Sequence, residues 1–210
     1  MLTPARDCPL CPRLVGYRLA NQTRFPGFFN GPVPSFGADT ARLLVVGMAP
    51  GVKGANRTGR PFTGDHAGIL LYQTLASFGF SDGIYAAERD DGVTLRDCRI
   101  ANAVRCVPPE NKPLPAEVAT CSPFLAAEIA GLANVKVILA LGVLAHAAVL
   151  RAMGLRQSHV AFRHGALHAL PGGLTLADSY HVSRYNTSTR RLTTPMFEAV
   201  VAQIRTMLAG

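Results

Sequence analysis

Lysine is almost missing from this chain of 210 residues. Only Lys53, Lys112 and Lys136 occur, and the other eighteen basic residues are arginine. Acidic side chains are scarce too, 13 against 21 basic ones, which leaves a net charge of +8. An excess of guanidinium groups suits bidentate phosphate contacts. It points to a polyanionic partner, of which nucleic acid is the commonest. No apolar run reaches the length of a membrane span, and the opening MLTPARDCPL has no signal-peptide character. A cytoplasmic protein without a membrane partner is expected. A disulfide framework is not, because the cysteines number five and the compartment is reducing. No repeat or linker divides the chain, and 49% hydrophobic residues exclude disorder as its main theme. A single domain over residues 1–210 follows.

The chain is organised around LLVVGMAPGVKGANRTGRPFTGDHAG, from Leu43 to Gly68. Leu43 to Val46 reads as a buried strand, and a helix begins near His66. Between them lies a loop with six glycines from Gly47 to Gly68, carrying Lys53, Arg57, Arg60, Phe62 and Asp65. A loop of this length inside a compact domain is usually functional. It lacks the GK[ST] ending of a phosphate loop and the GxGxxG order of a dinucleotide site. Further strands are expected at Cys98 to Val104, Val135 to Leu141 and Leu174 to Asp178, with short ones at His159 to Phe162 and Ala166 to Leu170. Helices are expected at Ile69 to Phe80, Glu117 to Leu132, Val143 to Met153 and Thr194 to Leu208. Alternating strands and helices predict a parallel sheet covered on both faces, with the site outside the carboxyl ends of its strands. The loop after Val46, the residues around Asn102 and the segment from His181 would meet there.

The cysteines form two pairs: Cys8 with Cys11, in a C-x2-C spacing, and Cys106 with Cys121, across a proline-rich loop. Four thiolates in a reducing compartment suggest a metal centre, and spacing alone leaves zinc and an iron–sulfur cluster both open. Cys98, in mid-strand, reads as a small core residue.

Three segments carry a resemblance: GMAPGVKGANRTGRPFTGD (Gly47 to Asp65), NAVRCVPPENKPLPAEVATC (Asn102 to Cys121) and YHVSRYNTSTRRLT (Tyr180 to Thr193). Together with the first cysteine pair they resemble the uracil-DNA glycosylase superfamily, and most closely its family 5, the iron–sulfur members of bacteria and archaea. The resemblance implies a three-layer α/β/α sandwich with a central parallel four-stranded sheet. It also implies a 4Fe-4S cluster on Cys8, Cys11, Cys106 and Cys121. The expected activity is monofunctional removal of uracil, hypoxanthine or other damaged bases from DNA by a monomeric enzyme. Two departures stand out. Val182 replaces the proline of the family's His-Pro-Ser, and the loop reads GMAPG in place of GLAPA. Met48 also stands where the related family 4 has a glutamate.

Cleaving an N-glycosidic bond requires a flipped base, stabilisation of the departing anion and a water for an oxocarbenium-like sugar. Phe62 offers a stacking face and Asn102 both a donor and an acceptor for a base edge. Gly47, Ala49 and Gly51 allow close backbone approach. His181 would donate to the oxygen on which charge grows. Asp65 would position water, cap the helix that follows it, or do both. Lys53, Arg57, Arg60, Ser183 and Arg184 are the expected DNA contacts. Two other classes are weighed beside this one: a catalytically weak iron–sulfur damage sensor of the same fold, and a zinc-dependent nucleic-acid hydrolase. The zinc class is weakened by the lack of a His/Asp cluster suited to a catalytic metal.

Overall fold

The computed structural model describes residues 2–210. Four parallel strands form its centre. The first half of the chain gives α1 (Pro12–Arg24), β1 (Leu43–Gly47), α2 (Ala55–Thr58), α3 (His66–Ser77), a small hairpin of β2 (Ser81–Asp82) with β3 (Thr94–Leu95), and β4 (Cys98–Asn102). The second half contributes α4 (Pro115–Gly131), β5 (Val137–Leu141), α5 (Val143–Ala152), β6 (Leu167–Ala169), β7 (Thr175–Ser179), α6 (Arg184–Ser188) and α7 (Thr194–Ala209). The sheet order is β4-β1-β5-β7-β6, with β6 antiparallel on the β7 edge.

The central strands read in sequence as continuous apolar runs because both faces are covered. Side-chain alternation then divides each run between two cores. Leu43, Val45, Ile100, Val137, Leu139 and Ala177 pack with Leu71 and Leu75 of α3 and Phe197, Val201 and Ile204 of α7. Leu44, Val46, Ala101, Ile138, Ala140 and Leu176 pack with Leu125 and Ile129 of α4 and Ala145 and Val149 of α5. This is the expected α/β/α sandwich, with one strand more than the four expected.

Several boundaries differ for local reasons. Pro115 is the first residue of α4 and does not merely precede it; Glu117 turns back and accepts from the Leu114 N–H at 2.7 Å. His159 to Phe162 forms no strand; that segment is held as an irregular loop by His146, whose Nε2 meets the Val160 carbonyl at 3.1 Å. The buried carboxylate of Asp178 bonds His146 Nδ1 at 2.8 Å and His168 Nε2 at 3.0 Å, which ties α5 and β6 to β7 and forms a His/Asp cluster that the sequence was not expected to contain. The two short helices α2 and α6 lie inside segments expected to be loops. Each is only a turn or so long, too short for apolar periodicity to mark it.

Candidate active site

The carboxyl ends of β1 and β4 lie side by side, with Gly47 opposite Asn102 in the ladder. A Cβ at Gly47 would sit 2.5 Å from Phe62 Cζ and 2.6 Å from Asn102 Oδ1. Glycine at that position is what lets the ring and the amide share one space. Asn102 is buried and lines the pocket formed here, where its amide offers both a donor and an acceptor to a ligand.

Phe62, Asn102, Asp65 and His181 line one small pocket with Ala49, Pro50, Gly51, Ala55 and Ala67. Phe62 and His181 have ring centroids 6.1 Å apart, tilted by 34°. Burial alone lowers the His181 pKa to about 4, so its imidazole is neutral at pH 7 and offers one N–H. The peptide of His181 is held by Asn186, whose Nδ2 donates to its carbonyl at 2.8 Å. Val182, in the position of the family proline, is wholly buried in the core beneath α3 and α7. Burial of an apolar side chain therefore anchors this turn where a proline ring would otherwise restrict it.

Asp65 is the N-cap of α3, with Oδ1 accepting from the Gly68 N–H at 3.3 Å. Its other oxygen packs against Gly54 and lies 3.1 Å from where a Gly51 Cβ would stand. Burial raises its pKa, opposed by bonds from the Gly68 and Ala67 N–H groups. Capping and pocket lining are thus both served by one side chain.

The basic residues separate into two groups. Lys53 and Arg184 are exposed, and Ser183 caps α6 through the Asn186 N–H at the mouth of the pocket. Arg57 is half-buried and paired with Glu88 at 2.8 Å. Arg60 corrects the expectation of a phosphate contact. Its guanidinium is buried and makes two 2.8 Å bonds to Asp91. Burial pushes the Asp91 carboxyl up, but the bonds from Arg60, Val93 N–H and Ala86 N–H outweigh it and hold the pKa at about 2. The pair pins the loop in place and leaves no face of Arg60 for DNA.

Beside the pocket, and sharing His181 with it, a wider groove is lined by Met48, Asn111, Leu144, Phe162, Tyr180 and Arg191, among others. Arg191 stacks over the Tyr180 ring at 4.9 Å. Sequence reasoning had not singled out Asn186 or Arg191, although both lie in the stretch from Tyr180 to Thr193. Their types are too common in loops to stand out without coordinates.

Further along the chain from the carboxyl end of β4, past Val104, Cys8, Cys11, Cys106 and Cys121 line a second, apolar pocket with Leu14, Val104 and Phe124. All four thiols are free. The Cys106 pKa is pushed up to about 12 by burial and by the neighbouring Cys121. Arg18 gathers the first pair by donating to the Asp7 and Cys8 carbonyls at 3.0 and 3.2 Å. Arg13 joins α1 to α4 through Glu117 at 2.7 Å.

An α/β/α sandwich whose strand ends gather an aromatic ring, an amide, a neutral imidazole and a carboxylate in one pocket has the groups of a hydrolytic enzyme that acts on a heterocyclic base. The chain belongs to the uracil DNA glycosylase superfamily, whose family model matches residues 34–205. It is similar to the Type-5 uracil-DNA glycosylase of Thermus thermophilus, 46% identical over 97% of this chain and 94% of the relative. The Type-5 uracil-DNA glycosylase of Pyrobaculum aerophilum is 41% identical over 89% of this chain and 83% of that protein. The Mycobacterium leprae protein of the same description is 40% identical over 97% and 92%.

Proposed function

We propose that this chain removes uracil from DNA by hydrolysing its N-glycosidic bond, leaving an abasic site without cutting the strand. The single observation that carries this is the joint placement of Phe62 and Asn102 over Gly47, with a neutral His181 facing them. The extrahelical base stacks on Phe62. Asn102 pairs with its edge, donating through Nδ2 and accepting through Oδ1. As the bond to the sugar lengthens, negative charge grows on the base, and the His181 N–H donates to O2. Neutral histidine does this without first acquiring a proton. Asp65 holds the attacking water and faces the positive charge on the sugar. Ala49 and Gly51 allow the backbone to close around the ring.

Lys53, Ser183 and Arg184 hold the phosphates flanking the flipped nucleotide. Arg57 assists from the loop edge. The nucleophile is water rather than Lys53, which is solvent-exposed and lacks the burial that activates a lysine. Hypoxanthine and other damaged bases are further substrates in this proposal, supported by the wider groove that adjoins the pocket at His181. A cytoplasmic monomer is part of the same proposal.

Cys8, Cys11, Cys106 and Cys121 would hold a 4Fe-4S cluster. Their fit is tested by donor chemistry and spacing. The four thiols line one apolar pocket, yet among the described residues no three sulfurs lie within 4.8 Å of one another. Four cysteine thiols facing one apolar pocket supply the donor set that an iron–sulfur cluster takes. Such a cluster supplies a covalent tie between the N-terminal segment and the body.

The test is a labelled oligonucleotide with one deoxyuridine, treated with protein and then alkali, beside a strand holding deoxyinosine. Alkali-dependent cleavage at uracil, absent from undamaged DNA, is the expected result. Intact strands from folded, DNA-binding protein would contradict it and leave the damage sensor.

A further inference from the structure

The base pocket depends on a backbone conformation that its own residue resists. Phe62 lies at φ +53, the left-handed region that a residue with a bulky side chain keeps only where its surroundings hold it. Two stacked tyrosines supply that hold. Tyr72, fully buried in α3, donates its hydroxyl to the Pro61 carbonyl at 2.9 Å. Tyr85, from the loop of the small hairpin, donates to the next carbonyl, that of Phe62, at 3.0 Å. The same hydroxyl accepts from the Gly64 N–H at 3.3 Å. The two rings lie 4.6 Å apart, within 13° of parallel.

The neighbourhood is shaped around this arrangement. A Cβ at Gly68 would overlap both the Phe62 carbonyl and the Tyr85 hydroxyl, so only glycine lets the tyrosine reach the turn. The Arg60–Asp91 pair fastens the hairpin loop to the same segment, and Asp91 also accepts from the Ala86 and Val93 N–H groups at 3.0 and 3.1 Å. Tyr85 itself does not line the base pocket. Anything it does for chemistry passes through Phe62.

We infer that Tyr85, backed by Tyr72, is a positioning residue for base removal: its hydroxyl holds the Phe62 peptide in the left-handed turn that lays the ring beneath the base. The inference rests on the uracil-excising function proposed above. Without that hydroxyl, the Phe62 carbonyl and the Gly64 N–H both lose a partner, and the peptide is free to rotate toward ordinary backbone geometry. The ring then leaves Gly47 and Asn102. A shift of about 1 Å at a reacting centre is enough to slow it on the order of 100-fold.

The test compares wild type, Tyr85→Phe, Phe62→Ala and the double variant in single-turnover excision of uracil. Tyr85→Phe keeps the stacked ring and removes only the hydroxyl. It is expected to lose roughly 10- to 100-fold in rate, with affinity for undamaged DNA unchanged and cooperative melting retained. A loss acting through the Phe62 ring is coupled to it. The double variant is therefore expected to be little slower than Phe62→Ala alone. A wild-type rate in Tyr85→Phe, or losses that multiply in the double variant, would overturn the inference. A crystal structure of Tyr85→Phe separates this from the parent function. Phe62 still at its left-handed φ would overturn the positioning role whatever the activity. Phe62 displaced, in a protein whose wild type leaves uracil in place, would support the role and overturn the excision function alone.

Discussion

The base pocket and the cysteine corner both adjoin the carboxyl end of β4, and they are built by opposite means. The pocket is polar, lined by Asn102, Asp65 and His181, and its backbone is strained at Phe62. The corner is apolar, its four thiols are pressed among Leu14, Val104 and Phe124, and Arg18 holds its backbone by ordinary hydrogen bonds. Backbone strain persists only where something compensates for it, and in a glycosylase that is the bound base and its transition state. Thiols shielded by apolar side chains suit attachment. One region is therefore assigned to chemistry and the other to holding the N-terminal segment on the body, and the two can be separated by experiment.

The largest separation is expected from Asp65→Asn. Asparagine still caps α3, so melting should be preserved, while uracil excision falls on the order of 10³-fold with DNA binding intact. Parallel losses of stability and rate would make Asp65 a structural cap alone. Cys106→Ser should produce the converse. The purified protein is expected to lose its visible absorption and to melt about 10 °C lower, with the excision rate of the folded fraction within about threefold of wild type. A colourless wild type would remove the cluster.

The pH profile sharpens the contrast inside the pocket. The pKa of His181 is lowered to about 4 in the folded chain, against about 6.5 when unfolded. The unfolded chain therefore binds the extra proton between those values. Stability from the neutral ring is complete above pH 6.5 and is lost as pH falls toward 4. Excision at pH 5.5 should accordingly match that at pH 7. An ordinary histidine required neutral would cost roughly tenfold over the same interval, and such a loss in the measured rate would place His181 outside the buried pocket. The smallest effect belongs to the exposed rim. Lys53→Ala should weaken DNA binding less than about tenfold and reduce the salt slope by about one contact, leaving base preference unchanged.

Much of this was legible in sequence because it rests on residue order. The runs Leu43 to Val46 and Val137 to Leu141 carry the parallel sheet in their continuous apolar character. The motif segments place Phe62, Asp65, Asn102 and His181 at strand ends, where the pocket forms. What stayed hidden depends on partners far away in the chain. Arg60 looked like its neighbour Arg57, yet Asp91, thirty-one residues on, buries it. Tyr85 lay in a polar connection with no pattern of its own, and only folding brings its hydroxyl to the Phe62 carbonyl. The edge strand β6 falls inside the short strand expected at Ala166 to Leu170, whereas the one expected at His159 to Phe162 is a loop held by contacts from α5.

The most direct measurement is a crystal structure of Asp65→Asn bound to DNA holding one deoxyuridine. The uracil should lie on the Phe62 ring, with its edge on the Asn102 amide and its O2 toward His181. Uracil left within the duplex, or seated in the groove of Phe162 and Tyr180, would contradict the assignment of chemistry to this pocket.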